Sequence, residues 1–110
     1  MEKIWIPENY ESSNLYQFEF FISKKYNISF SEYDELHKWS ITNLEKFWES
    51  ITEFYKIEFD KNYDYVLKKE IPFYKTKWFD GAELSYSTHI LRHAKRNKIA
   101  IKYKNESDDI

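Results

Sequence analysis

Two histidines have the spacing most suggestive of chemistry in this 110-residue sequence. His89 and His93 stand four residues apart, and the apolar pattern around them predicts a helix over 86–95, which would place both imidazoles on one face. A metal site would need a third ligand, for which Asp80 and Glu83 are the nearby acids. The sequence lacks the HExxH motif, and most such histidine pairs are surface residues, so we predict no metal ligand here.

A basic cluster, RHAKRNK at 92–98, offers positive charge for phosphate groups, and aromatic residues elsewhere could stack on bases. The chain as a whole has a net charge of −2, however, and cations at the end of a predicted helix also suit the helix dipole. We therefore expect no nucleic-acid partner.

The sequence contains no complete set of catalytic groups. It has no cysteine for a thiolate and no GxSxG motif for a serine nucleophile, and its single glycine cannot form a Gly-rich phosphate loop. No pair of acids stands out as a general acid–base dyad. We predict neither a catalytic residue nor a cofactor-binding residue in this chain.

The composition fits one small aromatic-rich domain over residues 1–110. Aromatic residues make up 21% of the chain, either because they fill a compact core or because they form a surface that another protein covers. No stretch approaches the roughly 20 apolar residues of a membrane helix, and the N-terminus does not read as a signal peptide. We expect a cytoplasmic protein with no membrane partner.

The apolar periodicity predicts an α+β fold that is predominantly helical. Helices are expected over 14–26, 32–39, 43–56 and 86–95, and short strands near 64–69, 76–79 and 99–103. The last strand would have few partners within the chain. The expected N-terminal caps are Ser12 or Ser13 for the first helix, Ser31 with Asp34 for the second, Thr42 with Glu45 for the third and Ser85 for the fourth.

The only glycine, Gly81, lies between the aromatic pair of KWFDGAELS and the fourth predicted helix. We predict that it forms a turn with positive φ or a close backbone approach, which glycine allows at low steric cost. In that turn, Trp78 and Phe79 would anchor one side while the helix begins on the other.

Several short motifs follow one another in a specific order. They are Trp5 and Pro7; Ser13, Asn14 and Leu15 leading into Phe18; Tyr33, Asp34 and Leu36; Trp39 and Ser40; Phe47 and Trp48; and KWFDGAELS from Lys77 to Ser85. Together they resemble the N-terminal region of the AMP-forming acyl-CoA synthetases, and the spacing of SNL to YDELHKWS favours the acetoacetyl branch of that family. The resemblance covers residues 4–105 and departs from the family pattern at Asp80, Ser85, Thr88 and His89.

The resemblance implies an incomplete part of a larger adenylate-forming enzyme. Family members activate a carboxylate with ATP and pass the acyl group to coenzyme A, and their phosphate loop, magnesium ligand and catalytic lysine follow the region represented here. ATP, Mg²⁺ and coenzyme A are therefore implied only for a full-length relative, and this chain is predicted to be inactive alone. The implied partner is the remainder of the synthetase body; the alternative is a standalone aromatic-rich protein-interaction module derived from that domain.

Overall fold

The structure, a computed structural model, describes residues 5–107. Three α-helices come first, and a β-hairpin and a further short helix follow, which confirms the predicted α+β, mainly helical fold. The elements are α1 Asn14–Tyr26, α2 Tyr33–Thr42, α3 Leu44–Phe54, β1 Tyr65–Lys68, β2 Lys77–Asp80 and α4 Tyr86–Leu91. No helix within residues 5–107 combines the length and the apolar character needed to cross a bilayer.

The core lies between α1, α2 and α3 and is largely aromatic. Ile22 is completely buried at its centre, beside Phe18 and Leu36. The Phe18 ring makes edge-to-face contacts with Phe47 and Phe54, at centroid distances of 5.9 and 5.4 Å. Such pairs add about 0.5–1.5 kcal/mol beyond the area that they bury. Part of the aromatic content therefore fills the core, as one of the two sequence interpretations required.

The helix boundaries show which capping predictions hold. The Ser13 hydroxyl accepts a hydrogen bond from the Tyr16 amide at 3.2 Å, so Ser13 caps α1 as predicted. At the other end, Asn27 adopts the left-handed conformation (φ 53°) typical of a residue that ends a helix. Ser85 likewise caps α4, because its hydroxyl accepts from the Thr88 amide.

The predicted caps of α2 and α3 are wrong. Thr42 does not start α3, because α2 continues through it, and its hydroxyl donates to the Lys38 carbonyl at 2.8 Å. Only Asn43 separates the two helices, and its side chain makes no capping bond to α3. At the start of α2, Ser31 takes part through its backbone and not through its side chain. Its amide donates a hydrogen bond to the Glu35 carboxylate at 2.7 Å. This bond lowers the pKa of Glu35.

The β-hairpin packs on α3 through a tryptophan pair. β1 and β2 run antiparallel, with Leu67 opposite Trp78, and both strands lie where the sequence predicted them. The Trp78 ring meets Trp48 of α3 edge-to-face at 5.8 Å. Val66 and Leu67 are buried at this junction. The hairpin is thus attached to the helical core, which a two-stranded sheet needs for stability.

Two predictions near the C-terminus are wrong. The fourth helix ends at Leu91 instead of 95, and residues 99–103 form no strand. The large apolar side chains of this helix, Tyr86, Ile90 and Leu91, are exposed, so no packing surface supports a longer helix. The KIAIKYK segment alternates correctly for a strand but lies beside no other strand in the described chain, and alternation alone cannot form a ladder.

Gly81 occupies the predicted turn with positive φ. Its φ is +79°, and a Cβ built on it would lie 2.7 Å from Oδ2 of Asp64. Phe79, two residues earlier, also has positive φ (46°), so the chain turns sharply between β2 and α4. The carboxylate can rotate away, whereas the backbone conformation cannot change without moving the turn.

Replacing Gly81 with alanine is therefore expected to destabilise the chain by about 1–2 kcal/mol, the usual cost of a left-handed backbone for an L-residue. If the φ angle is the cause, the double variant Gly81→Ala/Asp64→Ala should retain the loss relative to Asp64→Ala alone. Urea unfolding followed by tryptophan fluorescence measures both differences. Full recovery in the Asp64→Ala background would show that contact with the carboxylate, not backbone strain, is responsible.

The chain is far from compact. Its radius of gyration is 19.2 Å, whereas a compact chain of this length has about 13 Å. Its accessible surface is 10044 Å², compared with about 6,600 Å² for a folded monomer of this mass. The exposed side chains include many large apolar ones, such as Trp5, Tyr33, Phe73 and Ile101. Aromatic side chains therefore lie on the surface as well as in the core.

Candidate functional surface

The two histidines have different surroundings. Nε2 of His93 accepts a hydrogen bond from Nε of Arg92 at 3.0 Å, whereas Nδ1 of His89 is buried without a partner. Within residues 5–107, no group of three His, Cys, Asp or Glu side chains is placed to hold a metal ion. The acids considered as third ligands have other contacts. Asp80 accepts from the Tyr65 hydroxyl, and Glu83 pairs with Lys61 at 4.0 Å.

Asp80, one of the positions at which the chain departs from the family pattern, forms a hydrogen bond with Tyr65. Tyr65 on β1 donates to Asp80 Oδ2 on β2 at 2.6 Å, directly across the hairpin. This hydrogen bond is the main reason that the pKa of Tyr65 is raised to about 12. The phenol donates to Asp80 at neutral pH, and this bond links the two strands beside the turn at Gly81.

Arg92 connects α4 to the end of α3. Its guanidinium donates through Nη2 to the Tyr55 carbonyl at 2.8 Å and through Nη1 to the Lys56 carbonyl, and it pairs with Glu58 at 3.9 Å. These carbonyls lie at the negative end of the α3 dipole, where a cation is stabilising. Sequence reasoning assigned Arg92 to a basic cluster at its own helix end. Nothing in the sequence relates it to a helix end 36 residues earlier.

An open groove runs along α1 and α2, and we call it the acidic groove. Its apolar floor includes Trp5, Leu15 and Tyr33, of which Trp5 is 76% and Tyr33 is 59% exposed. Glu19, Glu32 and Asp34 line the same cavity, which has a volume of about 740 Å³. Leu15 and Tyr33 also line a smaller apolar cavity of about 280 Å³ that reaches Phe47 on α3 and Tyr55 just after it. The two cavities thus form one continuous apolar face.

The residues that line the acidic groove include no basic side chain to balance its charge. Three of them are carboxylates, Glu19, Glu32 and Asp34, and none is Lys or Arg. In the part of the chain that the structure describes, none of the three forms an ion pair with a Lys or Arg side chain. Glu19 accepts a hydrogen bond from the Tyr10 hydroxyl instead.

The opposite charge is concentrated after α4, in residues 94–104, which we call the basic arm. The arm has the sequence AKRNKIAIKYK, with five Lys or Arg residues and no acid. Its large apolar side chains, Ile99, Ile101 and Tyr103, are exposed. Sequence reasoning identified both the basic cluster and the apolar alternation but not the groove, because the groove combines residues from separate helices and appears only after they pack.

Comparison with known proteins gives the family context of these features. The family profile described as "Acetyl-coenzyme A synthetase N-terminus" matches residues 33–90, more than half of the chain. An acetoacetyl-CoA synthetase of Xenopus tropicalis is 27% identical over 103 residues, which cover 89% of this chain and 15% of that protein. An acetyl-coenzyme A synthetase of Pyrobaculum aerophilum is 39% identical over 82 residues, which cover 70% and 12%.

A solved structure shares the fold as well as the sequence. The acetoacetyl-CoA synthetase from Streptomyces lividans superposes with a TM-score of 0.67 at 30% identity. The match covers 74% of this chain and 13% of that enzyme. This chain therefore spans about one seventh of the length of the proteins that it matches.

Fold and sequence together define the class as the N-terminal region of an acyl-CoA synthetase, which confirms the predicted resemblance, including its acetoacetyl branch. The chain belongs to the acetyl-coenzyme A synthetase N-terminus family. The matched part of its fold is a small portion of a much larger chain in the Streptomyces lividans protein.

Proposed function

We propose that this chain is the N-terminal structural segment of an acetoacetate–CoA ligase of the ATP-dependent, AMP-forming type. In this proposal, α1–α3 and the hairpin dock on a synthetase body that carries the nucleotide-binding and catalytic groups. The chain alone is inactive, and it binds neither ATP, Mg²⁺ nor coenzyme A by its own residues. Its partner is that body, without nucleic acid or membrane, and its location is the cytoplasm.

The observation that carries the proposal is the excess of exposed surface. The chain exposes about 3,400 Å² more than a folded monomer of its mass. A standard protein–protein interface buries about 1,600 Å² in total, so the excess is large enough for docking on a larger domain. The apolar face that includes Leu15, Tyr33 and Tyr55 is the part of this excess best suited to such docking.

A chimera of the Streptomyces lividans enzyme tests the proposal. Residues 5–91 of this chain would replace the matching segment of that acetoacetyl-CoA synthetase, and acetoacetate-dependent pyrophosphate release would be measured with ATP and coenzyme A. We expect the isolated chain to give no release, the truncated synthetase to give little, and the chimera to recover most of the parent rate. Turnover by the isolated chain, or a chimera no better than the truncated enzyme, would contradict the proposal.

The alternative, a standalone aromatic-rich interaction module derived from this domain, is supported by the charge separation between the acidic groove and the basic arm. A docking segment needs apolar surface but does not itself require two complementary charged surfaces. The DNA that follows the codon for Ile110 distinguishes the two functions. A reading frame that continues into a Ser/Thr/Gly-rich phosphate loop favours the synthetase segment, and a stop codon without a neighbouring synthetase gene favours the module.

A further inference from the structure

We propose that two copies of this chain associate reciprocally, with the basic arm of each copy bound in the acidic groove of the other. Both surfaces lie on the same chain, and both combine exposed apolar side chains with charge of one sign. The inference rests on this complementarity and not on the proposed synthetase function. A synthetase body that covers either surface would compete with the association.

The groove provides a site for an extended basic segment. Tyr33 and Leu15 form an apolar strip that joins the two cavities, so the floor continues from Trp5 toward Tyr55. Glu32 and Asp34 stand at the start of α2 on the edge of this strip. An arriving Lys or Arg side chain can lay its methylenes on the strip while its charge reaches these carboxylates.

The basic arm matches that site in pattern and length. Ile99, Ile101 and Tyr103 alternate with Ala and Lys, so an extended arm places its large apolar side chains on one face and Lys98 and Lys102 on the other. Eleven extended residues span about 36 Å, which is ample for a groove built along two helices of about 20 and 15 Å. The apolar face would cover the floor, and the lysines would face its acidic edges.

The structure favours a second copy over the chain's own arm as the occupant. Within residues 5–107, Ile101 is 85% exposed and Trp5 is 76% exposed, so the described part of the arm does not lie in the groove of its own chain. Reciprocal exchange forms two identical contacts about a two-fold axis and therefore closes as a dimer. The exposed surface in excess of a compact monomer is larger than the about 800 Å² per copy that a standard interface buries.

Sedimentation velocity of the full chain over a range of concentrations tests the proposal. We expect a monomer–dimer equilibrium at low salt whose dissociation constant rises at least about tenfold at 0.5 M NaCl, since the Debye length then falls below 5 Å. The variant Lys98→Glu/Lys102→Glu reverses the charge at the two lysines that would face the acidic edges of the groove, lowers the net charge of the arm from +5 to +1, and should abolish the dimer. These residues lie in an exposed segment without helix or strand, so the substitution leaves the folded core intact.

A charge swap then tests the pairing itself. The groove variant Glu32→Lys/Asp34→Lys should be monomeric alone, and an equimolar mixture with the arm variant should form a heterodimer, because both contacts in the mixed pair again join opposite charges. Recovery in the mixture also shows that the groove variant is folded. The matched control is Lys69→Glu/Lys75→Glu, which makes the same charge change at exposed lysines outside the arm and should leave the dimer unchanged.

Three results would overturn the inference. The first is a monomer at every concentration, including a compact monomer whose arm has folded into its own groove. The second is a dimer that the arm variant leaves intact. The third is failure of the two variants to associate with each other when circular dichroism shows that both are folded.

Discussion

Truncation of Ile22 to alanine is expected to remove much of the stability of the chain. Ile22 is completely buried between α1, α2 and α3, and no other residue lies so centrally in the small cluster with Phe18 and Leu36. Loss of a fully buried isoleucine side chain costs about 2–5 kcal/mol, because transfer energy is lost and a cavity remains. Ordinary domains have only about 5–15 kcal/mol of stability, and a chain with a small core and much exposed apolar surface lies at the low end of that range.

Urea denaturation, followed at 222 nm and by tryptophan fluorescence, measures this loss. The matched control is Ile71→Ala, which removes the same atoms from a side chain that is 97% exposed and should change stability by less than about 0.5 kcal/mol. Equal losses in the two variants would mean that the three-helix cluster is not the stabilising core. If Ile22→Val keeps most of the stability that Ile22→Ala loses, cavity formation is supported as the cause.

The helical core could be predicted from sequence because its signals are local. In α1, the cap at Ser13 and the spacing from Phe18 to Ile22 lie within 13 residues, and the predicted limits agree with the structure. Thr42 shows where local signals fail. It has the residue type and the distance to Glu45 of a capping box, but α2 continues through it because Thr42 bonds to carbonyls of the preceding turn.

Features that depend on distant partners could not be predicted in this way. Residues 99–103 have strand periodicity, but a strand forms only beside another strand, and the sequence pattern does not say whether one is available. The acidic groove needs α1 and α2 side by side before its carboxylates share one cavity. The role of Arg92 depends on contact with carbonyls at Tyr55 and Lys56, which no periodicity encodes.

Replacement of Arg92 by alanine is expected to release α4 while leaving α1–α3 folded. The helix has six residues, too few to persist alone in water, and its Tyr86, Ile90 and Leu91 side chains are exposed. The Arg92 side chain, only 17% exposed, therefore supplies much of its attachment through two carbonyl bonds and the ion pair with Glu58. Hydrogen bonds to a charged group are stronger than those between neutral groups, so these contacts hold α4 more firmly than its few backbone bonds do.

Amide hydrogen exchange resolves this local change from global unfolding. In Arg92→Ala we expect the amides of His89 and Arg92, which bond to Ser85 and Thr88 in the folded chain, to exchange at nearly the unstructured rate, whereas amides of α1 and α3 keep their protection. Arg92→Lys should restore little, because a single ammonium cannot span both carbonyls as the planar guanidinium does. The matched control is Arg96→Ala, which removes the same charge from an exposed residue four positions later. Unchanged exchange in α4 of the Arg92→Ala chain would mean that the helix is held by its apolar side chains, and that Arg92 only lies against an end of α3 already satisfied by water.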